Sequence, residues 1–142
     1  MEVKQISVFL ENKPGQLAHM CRILADANID LKALNIAETS DYGVLRIITD
    51  RPHKTLDVLT AQSLVCSCTE VVAVRVPDHP GGLAGILDII AEKGISIEYM
   101  YSMLGGNGTS SAIMVFQTHE NSDTFRKAGL AVLTGSDVGI EE

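Results

Sequence analysis

The sequence predicts an α+β chain built from two tandem copies of one βαββαβ unit, with antiparallel sheets and helices on one face. Three observations predict it. Asn12-Lys13-Pro14-Gly15-Gln16-Leu17-Ala18 returns as Asp78-His79-Pro80-Gly81-Gly82-Leu83-Ala84 at an offset of 66 residues, and similarity at a fixed offset marks one structural unit used twice. In each copy the apolar period switches between two and about 3.6 in the same order. Turn-forming residues stand where the period switches.

The elements follow in chain order. Ile6, Val8 and Leu10 alternate with polar residues, as do Val72, Val74 and Val76, so each copy opens with a strand. After the Pro-Gly turn, Leu17, Met20, Cys21 and Leu24 take the spacing of one helix face, matched by Leu83, Ile86, Leu87 and Ile90. These helices end near Asn28 and Gly94, residues suited to a C-terminal cap. Strands at Leu31–Glu38 and Ile97–Leu104 lead through Ser40-Asp41-Tyr42-Gly43 or Gly105-Gly106-Asn107-Gly108 to Val44–Thr49 and Ala112–Thr118, which makes two hairpins. A second helix is predicted at Pro52–Gln62, with Pro in its first turn, and a shorter one at Ser122–Ala128, closed by Gly129. Val65–Ser67 and Ala131–Thr134 supply a closing strand to each unit. No Gly occurs in Leu64–Pro77, so the boundary near Cys68–Glu70 is tight, and the expected domains are 1–68 and 69–142.

Composition narrows the function. Of 142 residues, 46% are hydrophobic and 20% charged, which is enough apolar material for packed cores in a soluble chain. Eleven Lys and Arg against 18 Asp and Glu leave a net charge of −7, with no basic cluster interleaved with aromatics, so neither nucleic acid nor an anionic membrane is an expected partner. Met1-Glu2-Val3-Lys4-Gln5 is not the start of a secretory leader, no apolar run has the length of a membrane span, and three Cys are not a disulfide framework. A cytoplasmic location is expected.

The strand-to-helix turn is the feature able to carry chemistry. A helix start offers unpaired N–H groups and the positive end of the helix dipole, which suit a carboxylate or phosphate. Gly15 and Gly81 leave room against the backbone, Pro14 and Pro80 lack an N–H that would be unpaired anyway, and Asn12 and Asp78 can cap the turn or meet an ammonium group. One such turn could hold both ends of an amino acid.

These residues resemble the ACT domain, a small ferredoxin-like regulatory module, over essentially the whole chain as a tandem pair. The motifs that carry the resemblance are the two Pro-Gly turns, each followed by a helix and then by Ile29-Asp30-Leu31 or Ile95-Ser96-Ile97. In that family amino acids commonly bind where the turn of one domain faces the second strand of a neighbouring domain. The resemblance therefore implies ligand contacts from Asn12, Pro14, Gly15, Gln16 and Leu17, or from Asp78, Pro80, Gly81, Gly82 and Leu83. Facing residues would be Leu34, Asn35 and Ile36, or Met100, Tyr101 and Ser102. Both turns stay open. Asn12, which is similar to the Asn of serine-binding members, and Asn35 favour the first, while Gly82 gives the second turn a more open backbone than Gln16 gives the first. Valine at Gly15 or Gly81 is a clean test of ligand approach provided that the backbone there is not left-handed.

Other candidates have structural readings. Gly105-Gly106-Asn107-Gly108-Thr109 lacks the Lys of a phosphate-binding loop and lies between strands, so it reads as a hairpin turn. Cys66 and Cys68 are not spaced as C-x-x-C, and with His53 and His79 they make a poor metal set. At two residues apart on an extended chain they are also near the upper limit for a disulfide. Cys21 sits on the apolar face of the first helix, His19 has no counterpart in the second copy, and Tyr99 and Tyr101 are ordinary strand residues. No metal and no cofactor is expected.

The reading that follows is a free-standing, non-enzymatic sensor of a free amino acid, a homodimer, acting on a partner such as an enzyme of amino-acid metabolism. Two alternatives stand beside it: a regulatory subunit or small enzyme drawing on Glu38, Asp41, His79 or Cys21, whose spacings match no reaction, and a pair of vestigial sites serving dimerisation alone.

Overall fold

The structure, a computed structural model, describes residues 1–11, 13–38, 42–103 and 111–142. Asn12, Ser40, Asp41, Leu104 and the glycine-rich turn Gly105–Thr109 lie outside the described residues. The chain forms two compact units: Lys4–Thr69 with Gly139–Glu142, and Glu70–Val138 with Met1–Val3.

The first-copy unit contains β1 (Val3–Glu11), α1 (Gln16–Asp26), β2 (Leu31–Glu38), β3 (Tyr42–Thr49), α2 (Pro52–Ala61) and the start of β4 (Cys66–Pro77). Its strands lie in the order β2-β3-β1-β4. Antiparallel register sets Ile6 against Ile47, Val8 against Leu45 and Leu10 against Gly43, while Leu34 faces Ile47 and Ile36 faces Leu45 on the edge strand. The alternation read in the sequence therefore puts Ile6, Val8, Leu10, Leu45 and Ile47 on one face, where they pack with Met20 and Leu24 of α1 and Leu59 of α2.

The second-copy unit repeats this plan with the rest of β4, α3 (Gly82–Glu92), β5 (Ile97–Ser102), β6 (Ser111–Thr118), α4 (Ser122–Lys127) and β7 (Val132–Leu133). β4 lies between β6 and β7, and β6 pairs with β5 at the edge. Val72, Val74, Ile90, Phe116, Phe125 and Leu130 form its core, with the Phe116 and Phe125 rings tilted at 6.1 Å between centroids.

The helices end as their sequences dictate. Asn28 and Gly94 both take positive φ, at 58° and 68°. In each, that residue's N–H donates three residues back and the next one five back: Asn28 to Ala25 and Ile29 to Leu24, Gly94 to Ala91 and Ile95 to Ile90. This pair of bonds satisfies the last carbonyls of the helix. Gly129 closes α4 in the same way, whereas α2 closes on Ser63 with φ 61°, a position where a non-glycine residue is strained.

Two features differ from the sequence reading. The closing strand of the first copy and the opening strand of the second are not separate: β4 runs unbroken from Cys66 to Pro77, because nothing between Ser67 and Val72 breaks an extended backbone. The chain ends are also exchanged between the units. Met1 O accepts from Gly135 N–H at 2.9 Å in the second-copy unit, and Glu141 N–H donates to Asp50 O at 2.7 Å in the first. No helix is long and apolar enough to cross a membrane, as judged over the described residues.

Candidate functional site

The two Pro-Gly turns have nearly the same backbone. Gly15 has φ 86° and ψ −10°, and Gly81 has φ 85° and ψ −9°. Gln16 N–H donates to Lys13 O at 3.3 Å and Gly82 N–H to His79 O at 3.0 Å. Proline second, glycine third with positive φ, and that closing bond make a type II turn, which explains the residue order directly. Both glycines are thus left-handed, so valine there strains the backbone and is not the clean test that the sequence reading made conditional on this point. Nothing lies within 4 Å of a Cβ built at either position. Gly15→Ala and Gly81→Ala should each cost about 1 kcal/mol by backbone strain alone, a loss read from the urea midpoint with m unchanged.

Each turn opens a helix without a side-chain cap. The first backbone bond of α1 from outside the turn runs from His19 N–H to Gly15 O at 2.9 Å, and the equivalent in α3 from Gly85 to Gly81 at 3.0 Å. The N–H groups of Leu17 and Ala18 therefore have no acceptor among the described residues, which leaves donors and the helix dipole for an anion.

In the first copy this helix start borders a cleft of about 110 Å³ lined by Leu10, Glu11, Lys13, Gln16, Leu17, Ile36 and Gly43. It brings together Gln16 and Leu17 from the turn and Ile36 from β2. Leu34 shares the face of Ile36 on the edge strand, whereas alternation turns Asn35 toward the opposite face, where its register partner is Arg46. Asn35 is therefore not among the residues that line this cleft. Four lining residues were not picked out from the sequence. In the sequence Lys13 is a residue of the turn motif and Leu10 of the strand alternation, Glu11 carries no signal of its own, and Gly43 reads as part of the turn but lies in a strand. Lys13 Nζ lies 2.7 Å from Glu11 Oε2, with both side chains about two-thirds exposed, at 68% and 65%. The hydrogen bond from Lys13 and its charge hold the Glu11 carboxyl below the usual carboxylate range, and the reciprocal bond and charge raise Lys13 above the usual lysine range.

The second turn is built differently behind the same backbone. Gly82 is buried, and a Cβ there would drive into the Pro77 carbonyl oxygen. Its lack of a side chain serves close packing, not an open approach for a ligand. Asp78 is exposed, and the ring of His79 reaches Pro80 O at 2.9 Å. Met100 packs toward the helices and Ser102 shares its face, while Tyr101 points to the other side, 6% exposed and stacked on Tyr99 at 6.4 Å. Alternation thus sets Tyr101 on the face away from the Leu83 side of the unit. A second hollow, of about 190 Å³, lies elsewhere in this unit between Glu70–Val72 and His119–Ser122. It presents two carboxylates, and His119 is within 2.8 Å of Glu98; such a lining repels the carboxylate of an amino acid.

Other side chains keep structural places. Cys21 and Cys66 pack against the first core, Cys68 is exposed, and none of the three forms a disulfide. His19 is exposed. Among the described residues, no three of His, Cys, Asp and Glu converge as metal ligands.

The fold is a tandem pair of α+β units. The sequence profile of the ACT domain pair matches residues 1–133, and the chain belongs to that family, whose domains are small-molecule-binding regulatory modules. Among solved structures it is similar to protein BT0572 from Bacteroides thetaiotaomicron, with 37% identity, a TM-score of 0.87, and coverage of 98% of this chain and 96% of that one. It is also similar to the ligand-free regulatory subunit of aspartate kinase from Thermus thermophilus, at 16% identity and a TM-score of 0.68 over 91% of both chains. The regulatory subunit of aspartate kinase from Thermus flavus gives 15% identity and a TM-score of 0.61 over 90% of both. These last two likenesses are of fold. No curated protein matches the chain significantly.

Proposed function

We propose that this protein binds a free amino acid, unaltered, at the first Pro-Gly turn and signals the bound state to a partner protein, without catalysing a reaction. One observation supports the reading above the rest: the cleft that joins Gln16 and Leu17 of the turn to Ile36 of β2, with a carboxylate and an ammonium group on its rim. The open N–H groups of Leu17 and Ala18 complement an α-carboxylate, and Glu11 complements an α-ammonium. Asn12 and the second-copy set Asp78, Pro80, Gly81, Gly82 and Leu83 remain part of the proposal as the turn residues of the two copies. Binding transmits a signal only where two arrangements of the protein differ in affinity for the ligand.

We place the protein in the cytoplasm as a homodimer, with an enzyme of amino-acid metabolism as the regulated partner. Three cysteines that form no disulfide suit a reducing compartment. Edge strand β2 exposes Leu34 by 37% and Ile36 by 44%, apolar surface that a second copy would cover. Sedimentation at tens of micromolar should give a two-chain species; a 15.2 kDa species refutes the dimer.

The amino-acid reading is tested by melting the protein with each proteinogenic amino acid in turn. A ligand at about 100 times its dissociation constant stabilises the folded state by roughly 2.7 kcal/mol, a clear upward shift in Tm. Flat curves across the panel at millimolar concentrations sink the reading, and consumption of any amino acid favours an enzyme instead.

A further inference from the structure

We infer that the first-copy cleft selects an amino acid with an aliphatic side chain, that Glu11 and Lys13 exchange their mutual ion pair for the ligand's ammonium and carboxylate, and that each chain holds one such ligand. The inference rests on the amino-acid-binding reading above.

The charges come first. Among the described residues, Glu11 and Lys13 are ion-paired only to each other, 2.7 Å apart at the rim of the cleft. An exposed pair of this kind contributes almost nothing to folding, so opening it costs little. A zwitterion entering between the two groups replaces one ion pair with two, each group keeping an opposite charge. An uncharged molecule offers neither group a replacement partner, and one bearing a single charge pairs with one group only by taking it from the other.

The wall comes second. Leu10, Leu17, Ile36 and Gly43 line the cleft beside Glu11, Lys13 and Gln16. At about 110 Å³ the cleft has room for the branched end of an aliphatic side chain such as that of valine or leucine. A carboxylate or hydroxyl facing Leu10, Leu17 and Ile36 loses hydration without recovering a hydrogen bond.

Among the described residues the second copy lacks both devices. Pro77, His79 and Ser102 stand where the first copy has Glu11, Lys13 and Ile36. There is then no counterpart of the carboxylate–ammonium pair and no apolar wall at Ser102.

Calorimetry with L-valine, L-leucine, L-serine and L-aspartate on the full chain tests the inference. Valine or leucine should bind at one per chain, at least tenfold tighter than serine or aspartate. Glu11→Gln and Lys13→Met should each weaken that binding tenfold or more. Gly43→Val should abolish it, since Gly43 has no positive φ and a Cβ there meets only ordinary contacts at 3.8–3.9 Å, so the strand accepts valine while the cleft fills. Circular dichroism melts of all three variants should match the parent, and His79→Ala should bind normally. Tighter binding of serine or aspartate, two ligands per chain, or unchanged valine binding in Lys13→Met and Gly43→Val each overturn the inference while leaving amino-acid binding intact. Failure of the whole amino-acid panel overturns the reading beneath it. If a variant unfolds, chemical-shift perturbation of Ile36 and Leu17 by valine in the parent decides instead: unmoved resonances at saturating valine reject the site.

Discussion

Removing Gly139–Glu142 should lower the unfolding free energy by about 3 kcal/mol, although these residues stand far along the chain from the unit they complete. Two contributions add. Ile140 is 6% exposed, and burying such a side chain is worth about 1.5–3 kcal/mol. Glu142 Oε1 accepts from the N–H groups of His53 and Lys54 at 2.9 and 3.3 Å. These are orphan donors at the start of α2, whose N-cap residue Arg51 provides no side-chain acceptor. Losing a cap costs about 1 kcal/mol. The Arg51–Glu141 contact, at 3.2 Å and partly exposed, adds little. α4 needs no such help, because Asn121 caps it through the Thr124 N–H at 3.2 Å. For a chain of this length, about 3 kcal/mol corresponds to a Tm lower by roughly 10 °C, measured by scanning calorimetry. Arg51→Ser in the shortened chain should recover part of the loss by restoring a local cap. A Tm within a degree of the parent would show that the tail contributes nothing.

Gly82→Ala should be comparably damaging, at about 3 kcal/mol, the upper part of the range for forcing extra atoms into a packed site. The obstacle is backbone: the added methyl drives into the Pro77 carbonyl oxygen, which already accepts from His79 N–H at 3.1 Å. Neither group is the free end of a flexible side chain. The matched substitution in the first copy, Gln16→Ala, adds no atom and should change stability by less than 0.5 kcal/mol. Urea titrations of the two variants give the comparison, and equal midpoints would mean that the helix start relaxes away from Pro77 at no cost.

Much of this architecture is legible in the residues because its causes are local. The period of Ile6, Val8 and Leu10, the helix face of Leu17, Met20 and Leu24, and the caps at Asn28, Gly94 and Gly129 each follow from a few neighbouring side chains. The left-handed Gly15 and Gly81 were implicit in the Pro-Gly order, which demands a type II turn. β4 was misread as two strands because Cys68–Glu70 shows no apolar alternation. The absence of Gly from Cys66–Pro77, with its one Pro as the last residue, is the stronger sign.

The site was less legible, because it depends on which strands lie together. Ile36 and Gly43 meet the turn only through the β1–β3 and β2–β3 registers. Glu11 and Lys13 flank Asn12 in sequence, yet their joint position at a cleft rim is a property of the folded unit. Asn35 lies on the same strand, but the two-residue repeat turns it off the face that carries Leu34 and Ile36. Nothing local announces the exchange of chain ends, since Ile140 is a single apolar residue with no pattern around it.

That exchange orders events during synthesis. Residues 4–69 leave the ribosome first, but their unit also contains Gly139–Glu142, so the N-terminal copy cannot be completed until residues 139–142 have been made. Until then the start of α2 is uncapped and the surface that Ile140 covers stays wet. Vectorial production, which lets many multidomain chains finish one domain before the next begins, here gives the opposite sequence. The copy translated first is the one completed last, and a ribosome stalled anywhere in the second copy holds an unfinished first one.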